Sequence, residues 1–217
     1  MKKKSSKPNL AAITHYPTPM VKQPKMDHEE KIAFIADRFR DIMEALGMDL
    51  SDDSLARTPQ RVAKMYVNEI FSGLDVDNFP SITTVDDHYQ HEGRPHVLLM
   101  RTNFTSFCEH HFVPMIGKAW VAYLPNKKLI GLSKIPRLVR YFARRPQLQE
   151  RLTAQIADSL ALLLDTEDVA VSLSAEHYCI AARGIETEES HVITHVLRGK
   201  FEKDPNIRRE FFDLIQR

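Results

Sequence analysis

The sequence predicts an α+β fold in which an antiparallel sheet follows a helical N-terminal region. Apolar residues recur at helical spacing in several stretches, and four segments have the composition of strands, of which 168–178 alternates apolar with polar residues as a half-buried strand does. These strands fall in pairs between runs of helices, an order typical of α+β domains. With 217 residues, of which 43% are hydrophobic, the chain can bury one sizeable core. We therefore expect a single domain with a tail.

Residues 1–26 are predicted to form a flexible arm. Prolines, lysines and serines predominate there and resist both helix and packed strand. The domain itself is expected to span 27–217. Its helical part covers 27–75, and its sheet-containing part covers 80–217.

Two helices are expected in the helical part. Asp27 followed by Glu30 resembles a capping box at the start of the first helix. Thr58 as N-cap and Pro59 as the first helical residue start the second helix, which we expect to end at Gly73. The residues expected to face the core are Ile32, Ile35, Phe39, Ile42 and Leu46 in the first helix and Val62, Met65, Tyr66 and Ile70 in the second.

The sheet-containing part begins with predicted strands over 96–104 and 117–125, which flank the stretch TSFCEHHF. That stretch is therefore expected on a strand-to-strand loop. A helix follows, with Ser133 as N-cap and Pro146 as its stop. The remaining expected elements are a helix over 148–165, strands over 168–178 and 192–197, and a terminal helix over 206–215.

The composition excludes several function classes. Lys and Arg total 30 against 29 Asp and Glu, so no overall field draws the protein to nucleic acid or to an anionic membrane. No apolar run is long enough for a membrane span, and the N-terminal sequence lacks the apolar centre of a signal peptide. Two cysteines cannot form a disulfide framework, so we expect a reducing, cytoplasmic setting.

Both cysteines lie beside histidines. Cys108 and His111 form a C-x-x-H pair, whose spacing lets one turn present two zinc ligands. His177 and Cys179 stand two apart at the end of a predicted strand, so we expect them on the same side. The alternative is that both cysteines are small buried apolar residues and the histidines are ordinary hydrogen-bonded groups.

A zinc site with three protein ligands keeps a position for water, as catalytic sites do. Cys108, His111 and Cys179 could hold the metal, with His110 and His177 nearby to move protons near neutral pH. This combination predicts a hydrolytic centre. Nucleobase deaminases also use Cys and His ligands, but the P-C-x-x-C part of their signature is missing from this sequence and no H-x-E lies beside either cysteine.

A second group of residues predicts an anion site. Lys134 and Arg137 stand three apart at the start of a helix, whose free N–H groups and dipole favour phosphate, and Arg183 follows the second cysteine. A solvated basic face explains Lys134 and Arg137 equally well. The P-loop motif is missing, so any nucleotide is held in another way. Gln149 and Glu150 could be ordinary first-turn residues of the next helix.

Several longer motifs together indicate a family. SFCEHHFVP, IGLSKIPRLVRYFARRPQLQERLTAQI and EHYCIAARG occur in this order, and with RTPQRVAKMYVNEIFSGL the chain resembles GTP cyclohydrolase I from about residue 30 to its C-terminus. The resemblance implies a tunnelling fold, an antiparallel sheet with helices packed on one face. It also implies a homodecamer of stacked pentamer rings, with active sites at subunit boundaries. The implied reaction converts GTP and water to 7,8-dihydroneopterin triphosphate and formate, the entry to tetrahydrofolate and pterin biosynthesis.

The same resemblance implies residue roles by matching motif. Cys108, His111 and Cys179 would hold Zn²⁺, whose bound water attacks the guanine imidazole ring. His177 would protonate the ring nitrogen as that ring opens, and His110 would assist proton transfer at the ribose, close to Ser133. The substrate-binding residues would be Gln149 and Glu150 at the guanine edge and Lys134, Arg137 and Arg183 at the triphosphate.

One segment departs from the family pattern. Where the family often has a run of threonines, this chain has EESHVITHVLRGKF, in which His191 and His195 fall on one side of a predicted strand. We interpret them as lining a polar strand face rather than as further metal ligands. A non-catalytic member that binds a pterin or a nucleotide is a competing hypothesis, and a structural-zinc interaction domain is another.

Overall fold

The computed structural model describes residues 18–20, 26–87, 96–126, 128–187 and 190–216. Most of the predicted N-terminal arm therefore lies outside the described residues. In the described part of the arm, Thr18 is buried, and its hydroxyl donates to the Pro146 carbonyl oxygen at 3.5 Å.

The helical region contains α1 (His28–Ala45) and α2 (Thr58–Lys64). The predicted capping box is confirmed. Asp27 Oδ1 accepts from the Glu30 backbone N–H at 2.9 Å, and the Glu30 carboxylate accepts from the Asp27 N–H at 2.8 Å. The buried residues between the two helices are Ile32, Ala36 and Ala63.

Three expectations for these helices need correction. Ile42 and Leu46 are 51% and 73% exposed and do not face the core of the chain. Near this end of α1 the buried side chain is that of Met43, which is 2% exposed. Arg57, not Thr58, occupies the N-cap position of α2, and Thr58 is its first helical residue.

The second helix does not run regularly to Gly73. It widens into a π-helical segment over Met65–Ile70, and 3-10 turns follow over Ser72–Leu74 and Val76–Asn78. A Cβ on Gly73 would lie 2.1 Å from the Tyr141 carbonyl oxygen. Gly73 is therefore required for a close backbone approach and is not a helix stop.

Within the described residues, seven strands form two sheets. The strands are β1 (Thr84–Asp86), β2 (Leu98–Cys108), β3 (Pro114–Tyr123), β4 (Lys128–Ile130), β5 (Pro146–Gln147), β6 (Val169–His177) and β7 (His191–Leu197). The central sheet has the order β5–β2–β3–β6–β7, and β1 pairs with β4 separately. All pairs are antiparallel except β2 with β5. The predicted α+β class with an antiparallel sheet is therefore confirmed.

The main core lies between this sheet and two helices, α3 (Lys134–Ala143) and α4 (Gln149–Leu164). Their buried stripes pack against alternate residues of β6, such as Val171 and Leu173. A short helix, α5 (Tyr178–Ala181), follows β6. Across the described ranges, none of the helices has both the length and the apolar character that crossing a membrane requires.

The C-terminal helices pack on the other face, at one end of the sheet. α6 (Lys200–Lys203) and α7 (Pro205–Ile215) bury Phe201 and Phe211 beside Ala170. Ala170 alternates along β6 with the residues that contact α3 and α4, so it faces the opposite side. The family resemblance implies helices on one face of the sheet. The helices α3 and α4 follow that arrangement, whereas the C-terminal helices α6 and α7 pack on the other face.

Candidate metal centre and active site

The first half of the TSFCEHHF stretch forms the end of β2, and residues 109–112 turn back toward β3, so the predicted loop position is confirmed for the second half only. The Cys108 N–H donates to the Val113 carbonyl, and the Cys108 carbonyl accepts from the Phe112 N–H, each at 2.9 Å. Phe112 has a φ of +55°, a left-handed conformation that costs about 1–2 kcal/mol. Its ring packs on Phe71 with the centroids 5.0 Å apart, a contact that offsets part of this cost.

Cys108, His111 and Cys179 come together beside this loop. Their ligand atoms all lie within 4.8 Å of one another, and Cys108 Sγ is 3.7 Å from His111 Nδ1. Two thiols and an imidazole suit zinc, and three protein ligands leave a fourth position free. Burial raises the pKa of the Cys179 thiol, as does neighbouring Cys108, and a cation between the sulfurs acts in the opposite direction. The donor set therefore fits a zinc ion.

Cys179 reaches this cluster from a helical turn. The strand β6 ends at His177, and Cys179 lies inside α5. The expectation that strand alternation places His177 and Cys179 on one side is therefore wrong, because the two-residue period stops at His177. The helical turn after the strand is what brings the second thiol to the ligand loop.

Arg183 contacts the cluster through His111. Its Nη1 lies 2.9 Å from His111 Nε2, and since a guanidinium can only donate, Nε2 accepts. His111 thus presents Nδ1 to Cys108 and Nε2 to Arg183. The neighbouring His110 is exposed, with its ring centroid 6.2 Å from that of His111.

Glu109, which has no role predicted from sequence, ties the ligand loop to α4. Arg151 Nη1 and Nη2 donate to its two carboxylate oxygens at 2.5 and 3.3 Å. The Glu109 N–H also donates to the Gln147 carbonyl at 3.1 Å. The two side chains are only 18% and 21% exposed, so water screens this pair less than a surface ion pair. The sequence could have indicated this contact, because the Glu109 carboxylate lies between two of the proposed ligands, Cys108 and His111.

The imidazole of His177 is held by Gln149. His177 Nε2 lies 2.7 Å from Gln149 Oε1. Gln149 Nε2 in turn donates to the carbonyl oxygens of Leu173 and Val192 at 3.3 and 2.9 Å and to Thr194 Oγ1 at 3.1 Å. Gln149 is 1% exposed. The Gln149 amide is thus engaged within the protein, and its expected place at the guanine edge stays a prediction.

Glu150, the other residue expected at the guanine edge, is exposed in the first turn of α4. It lies near enough to His177 to act on it electrostatically. Burial lowers the pKa of the His177 imidazole, and the Glu150 carboxylate opposes that effect. Of the Gln149–Glu150 pair, Glu150 is the side chain open to a ligand.

Two of the three predicted anion-binding residues, Lys134 and Arg137, lie in the first turn of α3. Ser133 occupies the N-cap position, as predicted, but its side chain makes no capping hydrogen bond, so the hydroxyl remains available. Lys134 is half-buried, and the exposed Arg137 lines a cavity of about 330 Å³ together with Arg140 and Arg144. Within the described part of the chain, no hydrogen bond or ion pair joins the start of α3 to the Cys108–His111–Cys179 cluster.

Comparison with known proteins gives a consistent result. A family model for GTP cyclohydrolase I matches residues 35–216. The GTP cyclohydrolase 1 of Aeromonas hydrophila is 49% identical over 200 residues, which cover 92% of this chain and 90% of that protein. The protein of the same name from Erwinia tasmaniensis is 51% identical over 192 residues, covering 88% of this chain and 86% of that protein.

Among solved structures, the apo form of the archaeosine synthase QueF-Like overlaps 48% of this chain and 95% of its own at 16% identity. The TM-score of 0.38 is too low to support an argument. The family match spans every residue of the metal cluster, and the two relatives each match most of the chain. The chain belongs to the GTP cyclohydrolase I family.

Proposed function

We propose that the protein is a zinc-dependent hydrolase that converts GTP and water to 7,8-dihydroneopterin triphosphate and formate, the first step of tetrahydrofolate and pterin biosynthesis. Family membership supplies the reaction. The observation that carries it to this chain is the convergence of Cys108, His111 and Cys179, with ligand atoms within 4.8 Å of one another. A non-catalytic relative would be expected to lack a ligand or a proton-moving histidine, and this chain retains them.

Zinc would be held by Sγ of Cys108 and Cys179 and by Nδ1 of His111. When bound, it supplies the Lewis acidity that makes water nucleophilic at neutral pH. A neutral imidazole that binds through Nδ1 carries its hydrogen on Nε2, which then cannot accept from Arg183. The Arg183 guanidinium is thereby released, and its charge becomes available to the substrate triphosphate.

Two histidines would move protons. His177, half-buried and with Nε2 engaged by Gln149, would give a proton to the guanine ring nitrogen as the imidazole ring opens. His110, exposed on the ligand loop, would serve the later proton transfers at the ribose. Ser133, whose hydroxyl is not used in capping, would assist there.

Substrate selection would depend on one carboxylate and three cations. Glu150 would accept N–H groups from the guanine edge, and a base without those donors would leave this carboxylate unpaired. Lys134, Arg137 and Arg183 would neutralise the triphosphate. Because the start of α3 and the metal cluster are not joined within one chain, we propose that the site is completed across a subunit boundary.

We also propose that the sheet with α3 and α4 belongs to a tunnelling fold that assembles as a homodecamer in the cytoplasm. Large apolar side chains on α1 and at its C-cap, with Phe34 48%, Ile42 51% and Leu46 73% exposed, support burial of this helix against another copy. The proposed organisation of the chain is one domain over 27–217. Within that domain, 27–75 is the helical part and 80–217 the catalytic part.

The direct test is incubation of purified, zinc-loaded protein with GTP, with formate and the pterin product measured together. Equal release of the two products is expected, with ATP as a control that yields neither. Tight binding of GTP without any formate would overturn the proposed activity and favour a binding protein.

A further inference from the structure

We propose that Thr194 and Thr153 are positioning residues that act through Gln149 to fix the imidazole of His177. In this arrangement Nε2 of His177 is bound to Gln149, and Nδ1 is the nitrogen that exchanges protons. This positioning role rests on the proposed function, in which His177 transfers a proton to the substrate. The two threonines would determine the orientation and the tautomer of the His177 imidazole.

The first step is the orientation of the Gln149 amide. Its Nε2 faces the carbonyl oxygens of Leu173 and Val192 at 3.3 and 2.9 Å. A carbonyl can only accept, so the opposite amide orientation would place Oε1 against two other acceptors. The amide oxygen is therefore directed at His177.

The second step follows for the imidazole. His177 Nε2 lies 2.7 Å from Gln149 Oε1, and an amide oxygen can only accept. Nε2 must therefore carry a hydrogen, which leaves Nδ1 as the unprotonated nitrogen of the neutral ring. The tautomer of His177 is thus set by the direction of the Gln149 side chain.

The third step brings in the two threonines. Thr153 Oγ1 donates its one hydrogen to the Gln149 carbonyl oxygen at 2.7 Å. In the 2.7 Å contact between the two hydroxyls, Thr194 is then the donor. Thr194 Oγ1 also accepts from Gln149 Nε2 at 3.1 Å. Each hydroxyl donates one hydrogen bond. The hydrogen bonds therefore run in one direction, from the Gln149 side-chain amide to Thr194 and from Thr194 to Thr153.

Thr194 lies in the segment that departs from the family pattern. It pairs with Leu173 in the register of β6 with β7, and it is half-buried, while His191, Ile193 and His195 are exposed. Strand alternation places these three on the opposite face. The unusual histidines of β7 therefore face away from the His177 network, whereas the threonine between them completes it.

Loss of the Thr194 hydroxyl removes one of the three acceptors that hold the amide in its direction. The reverse orientation, in which Gln149 donates to His177, then becomes more populated. That orientation places the hydrogen on Nδ1 of the neutral ring, which is the wrong nitrogen for the proposed transfer. A smaller kcat is expected, without a change in the contacts that bind GTP.

Activity measurements on zinc-loaded, full-length variants test the positioning role of Thr194 and Thr153. Thr194→Val keeps the shape of the side chain and is expected to lower kcat about fivefold to tenfold, as loss of one orienting hydrogen bond predicts. The KM for GTP should stay within twofold, with one zinc bound per subunit. Thr194→Ser should restore kcat, and Thr153→Val should show a weaker form of the same effect. Thr102→Val, in β2 away from the network, is the matched control.

A kcat for Thr194→Val within twofold of the parent would overturn the role. So would equal loss of zinc or of thermal stability in Thr194→Val and Thr194→Ser, because the threonine would then serve packing alone. Nitrogen NMR of histidine-labelled protein gives a readout that does not depend on turnover. His177 is expected as the Nε2–H tautomer in the parent and as a mixture in Thr194→Val. An Nδ1–H ring in the parent contradicts the proposal even if the enzyme is active on GTP.

Discussion

The three proposed zinc ligands are held by different local structures. Cys108 ends a long strand and is 4% exposed, so its thiol is fixed by the sheet. His111 lies on an exposed turn, and Cys179 lies in a one-turn helix. The strand ligand is therefore placed before metal binds, whereas the other two depend on the contacts that anchor their turns.

Replacement of either thiol is expected to remove metal and activity together. Serine in Cys108→Ser or Cys179→Ser offers a hydroxyl, which is a much weaker zinc ligand than a thiolate. Metal analysis of the purified variants beside a turnover assay checks this. His191→Ala, which removes an exposed histidine of β7, should keep its zinc. One zinc per subunit in either cysteine variant would show that the ligand assignment is wrong.

Glu150→Gln is expected to lower kcat/KM for GTP by about tenfold to a hundredfold, as loss of charged hydrogen bonds predicts. The amide replaces an acceptor with a mixed donor and acceptor, while zinc content stays unchanged. Steady-state kinetics with GTP measure the effect, and Glu202→Gln on α6 is the matched control. Unchanged turnover in Glu150→Gln would mean that Glu150 is only a first-turn residue of α4.

At the scale of elements, the ligand loop depends on α4. Arg151→Gln breaks the bidentate contact with Glu109 and is expected to weaken zinc binding by about tenfold, as loss of groups that orient metal ligands usually does. Competition with a chelator measures the affinity. Arg198→Gln is the matched control, since Arg198 pairs with Asp158 of the same helix. Equal zinc affinity in the two variants would argue against anchoring by Glu109.

The elements also show what sequence can predict. The capping box of Asp27 and Glu30 was predictable because both its hydrogen bonds are local. The spacing of Cys108 and His111 was a local signal too. The strands β1, β4 and β5 were not predicted, since two or three residues are too few to show alternation. The role of Gln149 was hidden, because its partners Leu173, Val192 and Thr194 come from strands distant in sequence.

At the scale of the whole molecule, α1 leaves apolar side chains uncovered. Ile42 and Leu46 are more than half exposed, and exposed apolar groups of this size are typical of interaction surfaces. The double variant Ile42→Lys with Leu46→Lys is therefore expected to yield smaller particles than the parent in light scattering after size-exclusion chromatography. Arg40→Glu on the same helix is the control. An unchanged particle size would place the subunit interface elsewhere.

Chelation and zinc restoration test the account most directly. The protein is incubated anaerobically with GTP before chelator treatment, after it and after zinc is returned, and formate and dihydroneopterin triphosphate are measured each time. We predict that both products form, cease on chelation and return with zinc. Undiminished product formation after complete metal removal would contradict a zinc centre at Cys108, His111 and Cys179, and a lack of both products in the zinc-loaded protein would contradict the enzyme itself.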